Sequence, residues 1–494
     1  MEEDDVTITA REQNFHSQVR EYIICFLLFA VLYFVSYFII TRYKRKADDH
    51  EDEDAIVNRI SLYLCTFTLA VSAGAVLLLP FSIVSIEILL SFPKNYYIQW
   101  LNGSLIHGLW NLVSLFSNLC LFMLMPFAYF FLESEGFAGS KKGIKARVLE
   151  TFVMLILLGL LILGIVWVAS ALIDNDAASM ESLYDLWEFY LPYLYSCISL
   201  MGGLLLLLCT PVGLSRMFTV MGQLLVKPTI LEDLDEQIYC IHLQEEALQR
   251  RLNGMTSHSQ YNPVDLQQEL DSVRSMKNKL ERRKKASAWE KNLVYPVVML
   301  ILLAGTTISV LLVVFNILYL LVDETAMPRG SKANNTKERG IGSASLSTFG
   351  FVGAALEIIL IFYLMVSSVV GFYSLRVFEE LTPRKDDTTM TTIIGCCVSI
   401  LVLSSALPVM SRTLGITRFD LLGDFGRFNW LGNFYIVLSY NILFAVVTTL
   451  CLVRKFTSAV REELLKALGL DKLHLSNNTR EPEKHSANRH QKSL

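Results

Sequence analysis

Nine apolar stretches, each of ~20 residues or more, dominate the chain, and that is the length needed to cross a ~30 Å hydrocarbon core as a helix. They cover residues 22–41, 60–90, 105–132, 148–173, 190–216, 294–322, 346–373, 389–411 and 431–453. In hydrocarbon each backbone N–H and C=O must be satisfied internally, so the stretches are read as helices; the ten-residue alternation of a membrane barrel is missing. Composition agrees. The chain of 494 residues is 53% apolar and 18% charged, whereas a soluble domain carries ~25% charged residues. The expected fold class is therefore an all-α polytopic membrane protein with nine transmembrane helices.

Charge orients the bundle. Residues 1–21 carry Glu2, Glu3, Asp4, Asp5, Glu12 and Glu21 against Arg11 and Arg20, the reverse of the basic start of a cleaved signal peptide. The first stretch ends in Arg42, Lys44, Arg45 and Lys46. With the N-terminus outside, the cytosolic connections and tail hold about 33 of the 43 Lys and Arg, the asymmetry expected of cytosolic loops. The layout is an outer N-terminus over 1–21, spans one to five within 22–216, a cytosolic segment over 217–293, spans six to nine within 294–453 and a cytosolic tail over 454–494. On this topology the sequon Asn334-Asn335-Thr336 faces outward and is the expected glycosylation site. Asn102-Gly103-Ser104 lies too close to the membrane, and Asn477-Asn478-Thr479 falls on the inner tail.

The segment 217–293 is polar and helical in pattern. Leu231, Leu234, Ile238, Ile241, Leu248 and Leu252 recur at spacings of three and four, with Glu245 at the missing step. Asn253-Gly254 and Tyr261-Asn262-Pro263 break the pattern, and Leu266, Leu270, Val273 and Leu280 resume it. Two amphipathic helices with a coiled-coil-like stripe, arranged as a hairpin, are predicted to run on into spans five and six. Arg282, Arg283, Lys284 and Lys285 close the hairpin as a basic anchor for anionic lipid. Stacking aromatics are missing there, so nucleic acid is not an expected partner. Tyr261-Asn262-Pro263-Val264 has the form of a sorting signal, a pattern common by chance.

Polar side chains inside spans are costly and often functional. Glu357 in span seven, Glu87 near the outer end of span two, His107, Asn111 and Asn118 on one face of span three, Asn316 in span six and Asn441 in span nine are the candidates for inter-helix bonding or a polar cavity. Pro80, Pro126, Pro211, Pro296 and Pro408 lie in or beside spans and can bend them. Between spans eight and nine, Arg418, Asp420, Asp424, Arg427 and Trp430 mark an outer or re-entrant segment able to touch a ligand. Eight of the nine cysteines fall in apolar runs, so neither a disulfide framework nor a metal site is expected. No Walker loop, HExxH, GxSxG or kinase signature occurs, so an enzyme is not expected.

Several long stretches carry a resemblance: NYYIQWLNGSLIHGLW at 95–110, FLESEGFAG at 131–139, YLPYLY at 190–195, FYLMVSSVVGFY at 362–373, and 414–434. Through them the chain resembles the limb region 1 / lipocalin-interacting membrane receptor family along almost its whole length. The resemblance implies nine spans and no catalytic residues. It also implies relatives that act as an endocytic lipocalin receptor, in Wnt-pathway control at the endoplasmic reticulum, and, more distantly, in lysosomal cobalamin export. The leading expectation is a multi-pass receptor for an extracellular ligand, a lipocalin-like carrier or a hydrophobic molecule. The alternatives are a scaffold that controls trafficking or turnover of signalling receptors, and a lipid or small-molecule transporter. No cofactor is expected beyond a bound lipid or sterol. A homodimer and membrane lipids are the further partners. The plasma membrane is the expected location, with the endoplasmic reticulum as alternative.

Overall fold

The computed structural model describes residues 2–45, 52–134, 143–173, 182–226, 229–253, 263–322, 350–385, 387–416 and 434–467. Among the described residues there are ten long helices: α1 (Glu2–Tyr43), α2 (Asp52–Ser91), α3 (Tyr96–Glu133), α4 (Ile144–Ile173), α5 (Ser182–Val226), α6 (Thr229–Asn253), α7 (Pro263–Val322), α8 (Phe351–Ser374), α9 (Met390–Thr413) and α10 (Phe434–Ala467). All but α6 contain a segment long and apolar enough to cross a membrane, which gives nine spans among the described residues. The one strand-like contact there is a bridge between Lys44 and Thr388.

Local chemistry sets the helix ends. The described residues of α6 end at Asn253 and those of α7 begin at Pro263, whose fixed φ and missing N–H suit a first helical position. From there α7 runs unbroken for 60 residues through Pro296 to the end of span six, about 90 Å at 1.5 Å per residue. The paired arm and the span are thus one continuous helix, short only of the i→i−4 bond that Pro296 cannot donate. Span three is irregular instead. Its helix widens into π-turns over Leu101–Ile106 and Cys120–Leu124, the second directly before Pro126, whose ring cannot fit a regular α-turn.

Packing sorts the spans. In α9, 72% of the apolar window is buried, against 11% in α1 and 6% in α4, so α9 is central while α1 and α4 present apolar side chains to lipid. The most extensive contact joins α5 to α8. A Cβ on Gly213 would stand 1.6 Å from the Ser367 carbonyl oxygen, and one on Gly371 1.9 Å from that of Cys209. Close backbone approach through small residues is how helices associate where lipid removes the hydrophobic drive between them. Thr210 and Ser368 share a 2.7 Å hydrogen bond in the same seam. The described cysteines are free thiols.

Candidate functional site

The end of α9 furthest from the hairpin holds a dense polar arrangement. Gly415, at φ +72°, ends the helix. Its N–H donates to the Arg412 carbonyl at 3.1 Å, and the Ile416 N–H donates to that of Ser411 at 3.0 Å, the paired bonds of a Schellman ending. The Thr413 carbonyl is left over. Asn316 of α7 and Asn441 of α10 each donate to it at 3.0 Å, and Asn316 also donates to Asn441 Oδ1 at 3.1 Å. The second amide N–H of Asn441 goes to the Val437 carbonyl at 2.9 Å, and the side chain is fully buried. Glycine is needed at 415 on two grounds, its backbone conformation and its space: a Cβ there would lie 2.7 Å from the Asn316 amide. Two candidates from distant spans thus meet at one helix end.

One other polar knot and the Glu87 carboxylate lie at this end, since neighbouring spans alternate in direction. Trp100 Nε1 donates to Ser17 at 2.8 Å and to Glu21 at 2.9 Å, and Ser104 donates to the same carboxylate at 2.6 Å. Arg20 lies 4.0 Å above the Trp100 ring, a cation–π contact. The Glu87 carboxylate stands 3.7 Å from where a Cβ on Gly350 would be, beside the start of α8, where a helix N-terminus favours negative charge. Reasoning from the sequence missed the Trp100 cluster; Arg20 and Glu21 just before the first apolar run, with Trp100 just before the third, were its signal.

The remaining candidates separate. Glu357 is 6% exposed within α8 and has a partner. His107 and Asn111 do share a face of α3, but it is the outward one: both are exposed, and Asn118 is half-buried. The four basic residues at 282–285 lie on α7 between the hairpin arm and the apolar span. Asn334 and the group Arg418, Asp420, Asp424, Arg427 and Trp430 lie outside the described residues, as do Tyr261 and Asn262. No cluster suited to a metal ion occurs among the described residues.

The hairpin explains an irregularity in its own pattern. Glu245, the one break in the apolar stripe of α6, accepts from Lys277 at 2.8 Å and Arg274 at 3.1 Å across on α7. These bonds, that from Lys277 foremost, hold its carboxyl below the usual carboxylate range. Leu270 is buried beneath the pair of helices, while Tyr239, Leu243 and Met276 are exposed.

Nine apolar helices, a polar knot at one end and a hairpin at the other define a polytopic α-helical membrane protein. The model of the LMBR1-like membrane protein family matches residues 21–263 and 258–456. The chain belongs to that family. It is 84% identical over 495 residues to the limb region 1 protein homolog of Gallus gallus, covering 100% of both chains. It is 81% identical to the limb region 1 protein of Mus musculus, covering 99% of each. Protein LMBR1L of Mus musculus is 63% identical over 95% of each chain. No solved structure matches.

Proposed function

We propose that the chain is a non-catalytic multi-pass membrane receptor with its N-terminus outside and its hairpin in the cytosol. The observation that carries this reading is α7. One helix holds Asn316 in the polar knot at its far end and Arg274 and Lys277 in the hairpin at its near end. A ligand that shifts the knot would shift the hairpin too, because a continuous helix transmits displacement as a rod. The ligand is an extracellular carrier or a hydrophobic molecule.

A scaffold is the second reading, favoured by the exposed Tyr239, Leu243 and Met276 on the hairpin, which suit a protein partner. Surface biotinylation combined with glycosidase digestion separates the two. A surface pool carrying a mature glycan at Asn334 supports the receptor. Protein wholly retained with an immature glycan overturns it in favour of an endoplasmic-reticulum scaffold. Surface protein with no glycan at Asn334 calls for the span count and orientation to be mapped directly, by labelling cysteines placed in each connection.

A further inference from the structure

At the hairpin end of the bundle, α1 and α2 enclose a cleft of about 250 Å³ whose polar lining is Tyr37, Thr41, Lys44, Arg45, Arg59 and Tyr63. Three of these carry positive charge and two are phenols; the Thr41 hydroxyl already donates to the Tyr37 carbonyl at 2.8 Å. Arg45 is held by Asp387, its Nε donating at 2.9 Å. Arg59 is exposed and makes no ion pair among the described residues. The rings of Tyr37 and Tyr63 stack with centroids 6.3 Å apart, and both are partly exposed. Along α1, Phe34, Tyr37, Phe38 and Thr41 fall on one stripe by helical spacing, Arg45 follows just past the helix end, and Phe34 and Phe38 are strongly exposed. A wall of apolar side chains facing lipid therefore descends onto a foot of cations and phenols. Tyrosines in this position mark headgroup depth.

We propose that this cleft binds the phosphate headgroup of an anionic phospholipid, its acyl chains lying against Phe34 and Phe38. Guanidinium and phenol donors match phosphate oxygens. The volume lies below the ~300–1,000 Å³ of pockets that enclose whole small ligands, so the cleft holds a headgroup and leaves the tails in the bilayer. With the orientation proposed above, it opens to the leaflet that carries the anionic lipids. The neighbouring connection and the first turn of α2 bear Asp48, Asp49, Glu51, Asp52, Glu53 and Asp54, which oppose a diffuse coat of anionic lipid. Selectivity would come from the local donors, not from net charge.

The test is native mass spectrometry of the full chain in mild detergent with added dioleoylphosphatidic acid or dioleoylphosphatidylcholine. The wild type is expected to retain phosphatidic acid selectively. Arg59→Gln should weaken retention about tenfold, the loss of one charge-assisted hydrogen bond, and Tyr63→Phe should weaken it less. Arg42→Gln removes the same charge from outside the cleft and should leave retention unchanged. All three variants should keep the wild-type elution profile, which separates lost binding from lost folding. Equal loss in Arg42→Gln and Arg59→Gln would overturn the site in favour of diffuse charge, and equal retention of phosphatidylcholine would overturn the headgroup. Displacement by millimolar inorganic phosphate would overturn the lipid as its occupant.

Discussion

Single atoms decide the seam between α5 and α8. The Gly213 Cα leaves no room for a methyl group, since the Ser367 carbonyl occupies that space. Gly213→Ala must therefore push apart a pair of helices that otherwise pack backbone to backbone, an overpacking cost of ~1–3 kcal/mol. Gly159→Ala in the lipid-facing α4 meets nothing within 4 Å and should be neutral. Thermal loss of the monodisperse species in detergent compares them; equal midpoints would mean the seam yields freely. At the α9 end, Asn441→Leu removes one of two donors to the Thr413 carbonyl and strands the Asn316 donor pointed at it. Hydrogen bonds between membrane helices are worth only ~0.6–1.7 kcal/mol, so a drop of that size is expected in the same assay, and no change would assign the knot no role in stability. That these residues meet was not legible in the sequence. Asn316 and Asn441 were identifiable as polar groups in apolar runs, but partners 125 residues apart leave no local spacing to read.

Elements show the reverse. Every apolar run became a helix, because length and hydrophobicity alone force that outcome in lipid, and the hairpin followed from its three-four stripe. Its flaw at Glu245 was visible without its reason, since the reason is an ion pair to another helix. That pair predicts an acid response. The folded carboxyl titrates below its unfolded value, so the contribution is complete above the unfolded value of ~4.3 and is lost as pH falls through the lower folded value. The pair is partly exposed, with Lys277 at 23% and Arg274 at 45%, and should contribute only ~0.2–1 kcal/mol. Spin labels replacing Tyr239 and Met276 would report a broader distance distribution at low pH in the wild type, while Glu245→Gln should already be broad at neutral pH. A distribution insensitive to both changes would leave Leu270 and its apolar neighbours as the whole of the hairpin's cohesion.

At the scale of the molecule, the nine spans divide into a packed centre around α9 and an outer layer in which α1 and α4 face lipid. Among the described residues, α7 alone both extends far beyond its apolar window and reaches the polar knot at the opposite side. The arm of α7 before Pro296 measures about 50 Å at 1.5 Å per residue, and its stiffness depends on unbroken i→i−4 bonds. Replacing two consecutive residues in 286–293 by Gly-Pro would break those bonds at a cost of ~3 kcal/mol or more. The cost falls on a junction outside the apolar window that starts at Pro296, so the spans should still assemble. Rod and tether then give different outcomes. If α7 works as a rod, the broken variant should reach the same membrane, keep the same glycan state and retain the bundle's thermal midpoint. Spin labels on the hairpin arm and on the span side of α7 should then lose their narrow distance distribution. Loss of any external-ligand effect on the hairpin in that variant would follow from the same break. If the ligand effect survived with the arm free to swing, α7 would be a tether, and coupling would have to pass through the contact of α10 with α5.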